Sequence, residues 1–319
     1  MLRQYWRMAV AERLNFDVAT LRTEEGLLFG AAADDGGASG RSRVRIRLSH
    51  WDEGKLATWS ATAKTRHPEA RNPAVGSDLY LGYGPLTAAG NTALKKPPAI
   101  AAGEHANLSL AYVEDEQSAQ KLPTAGSDIA TALYLMHLYG TLGGRSRNGW
   151  GSFFLQPQNG TAALEGKVPT RLWKEALQED WPHAIGKDAQ GALIWQTRPF
   201  DNWQQLVLEL AKLKIGLRTQ FRFTTGKNAP RTEDRHWLSY PITNHSVKDW
   251  GNNARLPNSL RFKARPAPGA PGKLVGVVFH MPCLPPPAFR PDVAAIASVW
   301  QRVHAFLDDP QHGLNRILA

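Results

Sequence analysis

Apolar residues recur every four positions at the start of the chain, at Leu2, Trp6, Val10 and Leu14, with Tyr5 and Ala9 flanking them. That period predicts an amphipathic helix over 2–14. A strict alternation follows at 43–48, Arg-Val-Arg-Ile-Arg-Leu. It predicts a strand with Val44, Ile46 and Leu48 toward a core and Arg43, Arg45 and Arg47 on the opposite face. Shorter strands are predicted at 79–83, 107–113 and around 150–156. Helical spacing returns at 126–140, where Ile129, Leu133, Met136 and Tyr139 share one side and Ser127 or Thr124 can cap the start. A short helix is predicted at 170–180 and a longer one at 201–215. Residues 259–265 and 273–280 alternate around a Pro- and Gly-rich turn and predict a hairpin. Residues 291–307 predict a last helix with Val293, Ile296, Val299 and Val303 inward. The stretches 34–40, 60–78 and 230–258 read as loops.

The element order is helix, strands, helix, strand, and then a similar set again. It predicts an α+β fold rather than a doubly wound sheet. Two ferredoxin-like (RRM-like) units in tandem fit that order, over 1–165 and 166–319, with the boundary in the Gly-, Ala- and Thr-containing stretch 158–168. No strand is predicted ahead of the first helix. The first unit is therefore expected to lack its N-terminal strand and to expose a sheet edge.

Charge narrows the function. The 319 residues carry 38 Lys and Arg against 28 Asp and Glu, a net charge of +10. The cations are spread along the chain, which points to a folded protein that meets a polyanion. Cys283 is the single cysteine, so no intramolecular disulfide can form, which fits a reducing compartment such as the cytoplasm. No apolar run reaches membrane-spanning length, and the Arg and Glu of the first fourteen residues exclude a signal peptide. No His-x-x-x-His, Cys-x-x-Cys or Gly-x-Ser-x-Gly spacing occurs. Neither a metal, a cofactor nor a small-molecule substrate is therefore expected.

The most informative segment is Gly143-Gly144-Arg145-Ser146-Arg147-Asn148-Gly149-Trp150-Gly151. Its glycines permit positive φ and a close approach of backbone to a ligand. Exposed amides there can form an anion nest, and the Arg145 and Arg147 guanidinium groups match phosphate oxygens. The segment lacks the Gly-Lys-Ser/Thr of a nucleotide loop and runs from helix to strand, the reverse of a dinucleotide fingerprint.

Gly-Gly-Arg-Ser-Arg-Asn-Gly-Trp-Gly-Ser-Phe at 143–153 resembles the signature glycine-rich loop of the RAMP superfamily of CRISPR proteins. Three other segments share the resemblance: Arg-Gln-Tyr-Trp-Arg-Met-Ala-Val-Ala-Glu-Arg at 3–13, Glu-Glu-Gly-Leu-Leu-Phe-Gly at 24–30, and Arg-Leu-Pro-Asn-Ser-Leu-Arg-Phe-Lys at 255–263. The last is similar to a segment of the first RAMP subunit of type III-B Cmr effector complexes. The resemblance implies tandem ferredoxin-like RAMP domains. It implies a non-catalytic RNA-binding subunit in antiviral defence, which contacts the 3′ region of the CRISPR guide RNA (crRNA), the target RNA and other Cmr subunits. Its RNA-binding residues would be Gly143, Gly144, Arg145, Ser146, Arg147, Asn148, Gly149 and Gly151 in the loop. Arg3, Arg7, Arg43, Arg45 and Arg47 would join them from the first half, and Arg255, Arg261 and Lys263 from the second, as one continuous basic surface.

Other residues stay open as candidates. Trp6, Trp51, Trp59, Trp150, Trp237 and Trp250 can stack on bases, although core packing is the commoner use of a tryptophan. Asp34 and Asp35 lie in a predicted loop and read as solvation. His137 precedes the glycine-rich loop, as a general base of a guide-processing endoribonuclease of the same superfamily would. A structural adaptor that touches RNA incidentally is the third reading.

Overall fold

The computed structural model describes residues 1–32, 40–60, 62–88, 92–158, 160 and 163–319. Asp34 and Asp35 lie outside them. The chain is a mixture of helices and small sheets, an α+β fold. It divides into two compact units that interleave along the sequence. The first holds 1–59, 94–140 and 154–169, and the second holds 60–93, 141–153 and 170–319. This division differs from a single cut at 165, because 60–93 and the glycine-rich loop belong with the C-terminal residues.

In the first unit, helix Leu2–Val10 buries Leu2, Tyr5, Trp6, Met8 and Val10. It packs on helix Ala125–Tyr139, which buries Ile129, Ala132, Leu135 and Met136. The first helix stops at Val10 rather than Leu14. Asn15 and Phe16 adopt positive φ, and Asp17 then caps a second helix, Val18–Phe29, by accepting hydrogen bonds from the Ala19 and Thr20 amides. That helix was not foreseen, although an Asp before a run of helix formers is an N-terminal signal. The described strands of this unit include an antiparallel ribbon of Val44–Leu48 with Leu108–Tyr112. Its alternation is as predicted, but its burial is not. Val44 is buried while Ile46 is 57% exposed, because a two-stranded ribbon has too little area to cover a whole face.

The second unit is built on a four-stranded antiparallel sheet in the order Leu260–Pro266, Leu274–His280, Ile194–Thr197, Leu314–Arg316. Helix Trp203–Thr219 follows the Ile194 strand, and helix Val293–Asp308 follows the hairpin. Numbered in chain order, the strands lie 2-3-1-4 in a β-α-β-β-α-β sequence, the split-βαβ arrangement. Asn202 and Asp292 cap the two helices through the Gln205 and Ala295 amides. Leu206, Leu210, Phe262, Val278, Val299 and Val303 meet in its core. Gly276 lets the first helix press on the sheet, since a Cβ there would lie 2.7 Å from Leu210 Cδ2.

Four local expectations change. The stretch 60–78, read as a loop, holds an antiparallel ribbon of Lys64–Arg66 with Ala74–Gly76. Residues 79–83 fall mostly in a helix, Ser77–Gly82, not a strand. Residues 150–156 form no strand; only a single bridge joins Thr141 and Ser152. The stretch 170–180 divides into strand Thr170–Leu172 and helix Trp173–Ala176. Among the described residues, no helix is long and apolar enough to cross a membrane, and no cluster of His, Cys, Asp or Glu could hold a metal ion.

Candidate nucleic-acid interface

The glycine-rich loop is a folded turn seated on three elements of the second unit. Its entry and exit are tied by the Leu142 amide, which donates to Gly151 O at 2.9 Å. That tie requires glycine at 151, where φ is +64° and a Cβ would sit 1.9 Å from Leu142 O. Inside the turn, the Asn148 amide donates to Arg145 O at 2.8 Å and the Gly149 amide to Ser146 O at 3.3 Å. The loop then docks on the edge strand of the sheet. The Phe262 amide donates to Arg147 O at 3.0 Å, and the Ala264 amide donates to Ser152 Oγ at 2.9 Å.

Asn148 is the pivot. Its Nδ2 donates to Leu81 O at 2.7 Å, and its Oδ1 accepts from Lys214 Nζ at 2.5 Å. One side chain thus ties the loop to helix Ser77–Gly82 and to helix Trp203–Thr219. Trp150 anchors the same corner. Its ring lies 6.0 Å from that of Trp203, edge to face, and so close to Gly82 that a Cβ there would be 2.4 Å from Cζ2. Trp150 is therefore a packing residue, not an open stacking platform.

Cations gather on this frame. Arg145, exposed and at positive φ, donates from Nε to Tyr83 O at 2.5 Å. Arg147 is half-buried, and its pKa is pushed down to about 10 by burial and then by Arg261. Lys214 is half-buried with its amine turned inward. Burial first, then Arg218 and Arg145, hold that amine well below the usual lysine range. Arg218 follows Lys214 by one helical turn. Arg218 and Arg145 thus act on Lys214, and Arg261 on Arg147. Like charges that lower one another's pKa are relieved by an anion. The Cys283 thiol is itself raised by burial to about 11, so it is no ready thiolate.

The remaining predicted residues have their own surroundings within each unit. Arg261 and Lys263 lie on the edge strand, but Lys263 is wholly buried, with Nζ 5.2 Å above the Phe153 ring and its pKa lowered to about 7 by burial and Arg265. Arg255 is exposed and donates to Asn252 O and Ala254 O. In the first unit, Arg7 grips the buried Glu25 through Nε and Nη2, the second bond at 2.7 Å, and Arg3 lies 3.5 Å from the same carboxylate. Arg43 pairs with Asp115 at 2.6 Å. Arg45 and Arg47 are exposed, opposite Ala111 and Ser109, two small neutral residues. His137 accepts the Leu155 amide at Nδ1, 3.2 Å. Lys214 and Arg218 were missed in the sequence, because a Lys and an Arg four apart on a helix read as an ordinary solvated face.

No family model matches the chain, and no curated protein matches it. Among solved structures the chain is similar to apo Cmr1 from Pyrococcus furiosus, with a TM-score of 0.46 and 13% identity, over 100% of this chain and 89% of that one.

Proposed function

We propose that this chain is a RAMP protein that binds RNA without cutting it, in the cytoplasm, as a subunit of a type III-B CRISPR (Cmr) effector complex. Its RNA would be the guide 3′ region and the paired target, and its neighbours the other Cmr subunits. The first unit would be a ferredoxin-like domain in tandem with the split-βαβ second unit. The observation that carries the reading is the cations gathered on the ordered glycine-rich loop. Asn148 ties the loop to Lys214, Arg145 and Arg218 act on Lys214, and Arg261 acts on Arg147. The phosphodiester backbone of RNA would supply negative charge to these cations. Arg45 and Arg47 would add phosphate contacts about 7 Å apart along a strand. His137, held by a backbone amide, favours the binding role over general-base catalysis.

Filter binding of single-stranded RNA over a salt series tests this. The Arg145→Ala/Arg147→Ala double variant is expected to bind all sequences more weakly and to flatten the log–log salt slope by about 1.4, two phosphates at about 0.7 each. An unchanged affinity and slope would remove the loop from the RNA site.

A further inference from the structure

Five of the six tryptophans singled out above are partly or fully buried. Trp6 is 1% exposed and Trp237 4%, and Trp250 packs among Trp237, Tyr240 and Phe289. Trp51 is different, at 88% exposed. It is not on a loose end. Two residues before it, the Ser49 amide donates to Asn107 O at 2.9 Å and Ser49 Oγ accepts from the Asn107 amide at 3.0 Å. Three residues after it, the Gly54 amide donates to Asp52 Oδ1 at 2.9 Å. Leu56 and Ala99 then exchange two backbone hydrogen bonds of 2.8 and 2.9 Å. Gly54 lies so near Ile100 that a Cβ there would be 2.5 Å from its Cα, and Ile100 is itself 69% exposed. The fold therefore anchors the backbone on both sides of an indole and leaves the indole in water.

The surrounding charge says what such a ring would meet. Residues 41–55 carry five cations, Arg41, Arg43, Arg45, Arg47 and Lys55, against two carboxylates, Asp52 and Glu53. Asp52 is occupied by the Gly54 amide, with His50 Nε2 at 3.9 Å. Arg41, Arg45, Arg47 and Lys55 are exposed, as are Lys95 and Lys96 just before the Leu56–Ala99 pairing. An acidic strand with flat aromatic groups satisfies both features. A neutral apolar protein surface would leave the arginines without partners, and a duplex keeps its base faces stacked away.

We infer that Trp51 is a stacking platform for an unpaired base of single-stranded RNA, whose phosphates run along the exposed Arg45 and Arg47. This rests on the RNA-binding reading but names a site in the other unit. A base stacked on an aromatic ring is worth about 1–3 kcal/mol, or about 5- to 150-fold in affinity.

The test uses the full chain, a labelled single-stranded RNA, and the same RNA annealed to its complement. Trp51→Ala removes no buried contact, so it is expected to fold as the parent. It should weaken single-strand binding about 5- to 150-fold, leave the salt slope unchanged, and leave duplex binding unchanged, and Trp51→Phe should restore most of the loss. Unaltered single-strand binding in Trp51→Ala overturns the inference, as does an equal loss on single strand and duplex. If Trp51→Ala is silent while Arg145→Ala/Arg147→Ala binds weakly, the stack fails and the loop reading stands. If the parent protein binds neither RNA, both fail. Loss of a protein partner with RNA binding intact overturns the stack in favour of subunit docking.

Discussion

Replacing Arg147 by methionine is expected to stabilise the RNA-free protein by about 1–3 kcal/mol and to weaken RNA binding by about 10- to 150-fold. The two effects share a cause. The Arg147 pKa is lowered from the usual arginine range to about 10, chiefly through burial and then through repulsion from Arg261. Each pKa unit is about 1.4 kcal/mol, so the charged form costs up to about 3 kcal/mol in the fold at neutral pH. Methionine keeps most of the stem and removes the charge. The backbone bond from the Phe262 amide to Arg147 O stays. The lost guanidinium–phosphate contact is a charge-assisted hydrogen bond worth about 1.5–3 kcal/mol. Urea unfolding with and without RNA, beside filter binding, measures both. A variant less stable than the parent would mean that Arg147 has a structural partner and is not held in reserve for an anion.

A second large effect is expected in acid. His183 and His304 are buried, and burial lowers the pKa of each from 6.5 to about 4. His280 is lowered further, by burial and then by His304. The pair is joined through His304 Nε2 and His280 Nδ1 at 2.9 Å, and His280 Nε2 meets Ser259 Oγ at 3.0 Å. A group held neutral in the fold binds its proton more readily when unfolded. Its stabilising contribution is intact above about pH 6.5 and is lost progressively as the pH falls toward 4. For His183 and His304 the loss is about 3 kcal/mol each over that window. Asp188 is lowered by its Arg316 hydrogen bond, so it adds its loss only below the ordinary carboxylate range. Urea midpoints at pH 7.5, 6 and 4.5 should therefore fall steeply below pH 6.5, and His304→Gln should flatten the curve. A constant midpoint from pH 7.5 to 4.5 would contradict the buried neutral pair.

The parts legible in the sequence were those set by period and by turn chemistry. The alternation of 259–265 and 273–280 gave the central hairpin, and the 3.6-residue spacing gave helices Trp203–Thr219 and Val293–Asp308. The glycines of the loop were legible as a need for positive φ, which Gly143, Gly149 and Gly151 have. What the period could not give was partnership. Ile46 alternates correctly yet stays exposed, because nothing in its own strand says whether a third layer covers the ribbon. Gly82 matters through Trp150, sixty-eight positions away, and Asn148 through Lys214, and neither pairing leaves a local mark. Lys214 and Arg218 therefore entered the candidate site only once the helix was seated beneath the loop.

The placement of RNA on the glycine-rich loop is tested most directly by crosslinking. The protein, bound to RNA carrying 4-thiouridine, would be irradiated, digested and mapped by mass spectrometry. The account predicts crosslinked peptides spanning 141–153 together with the helix bearing Lys214 and Arg218. Crosslinks confined to other surfaces of the second unit, with both of those peptides unmodified, would contradict it.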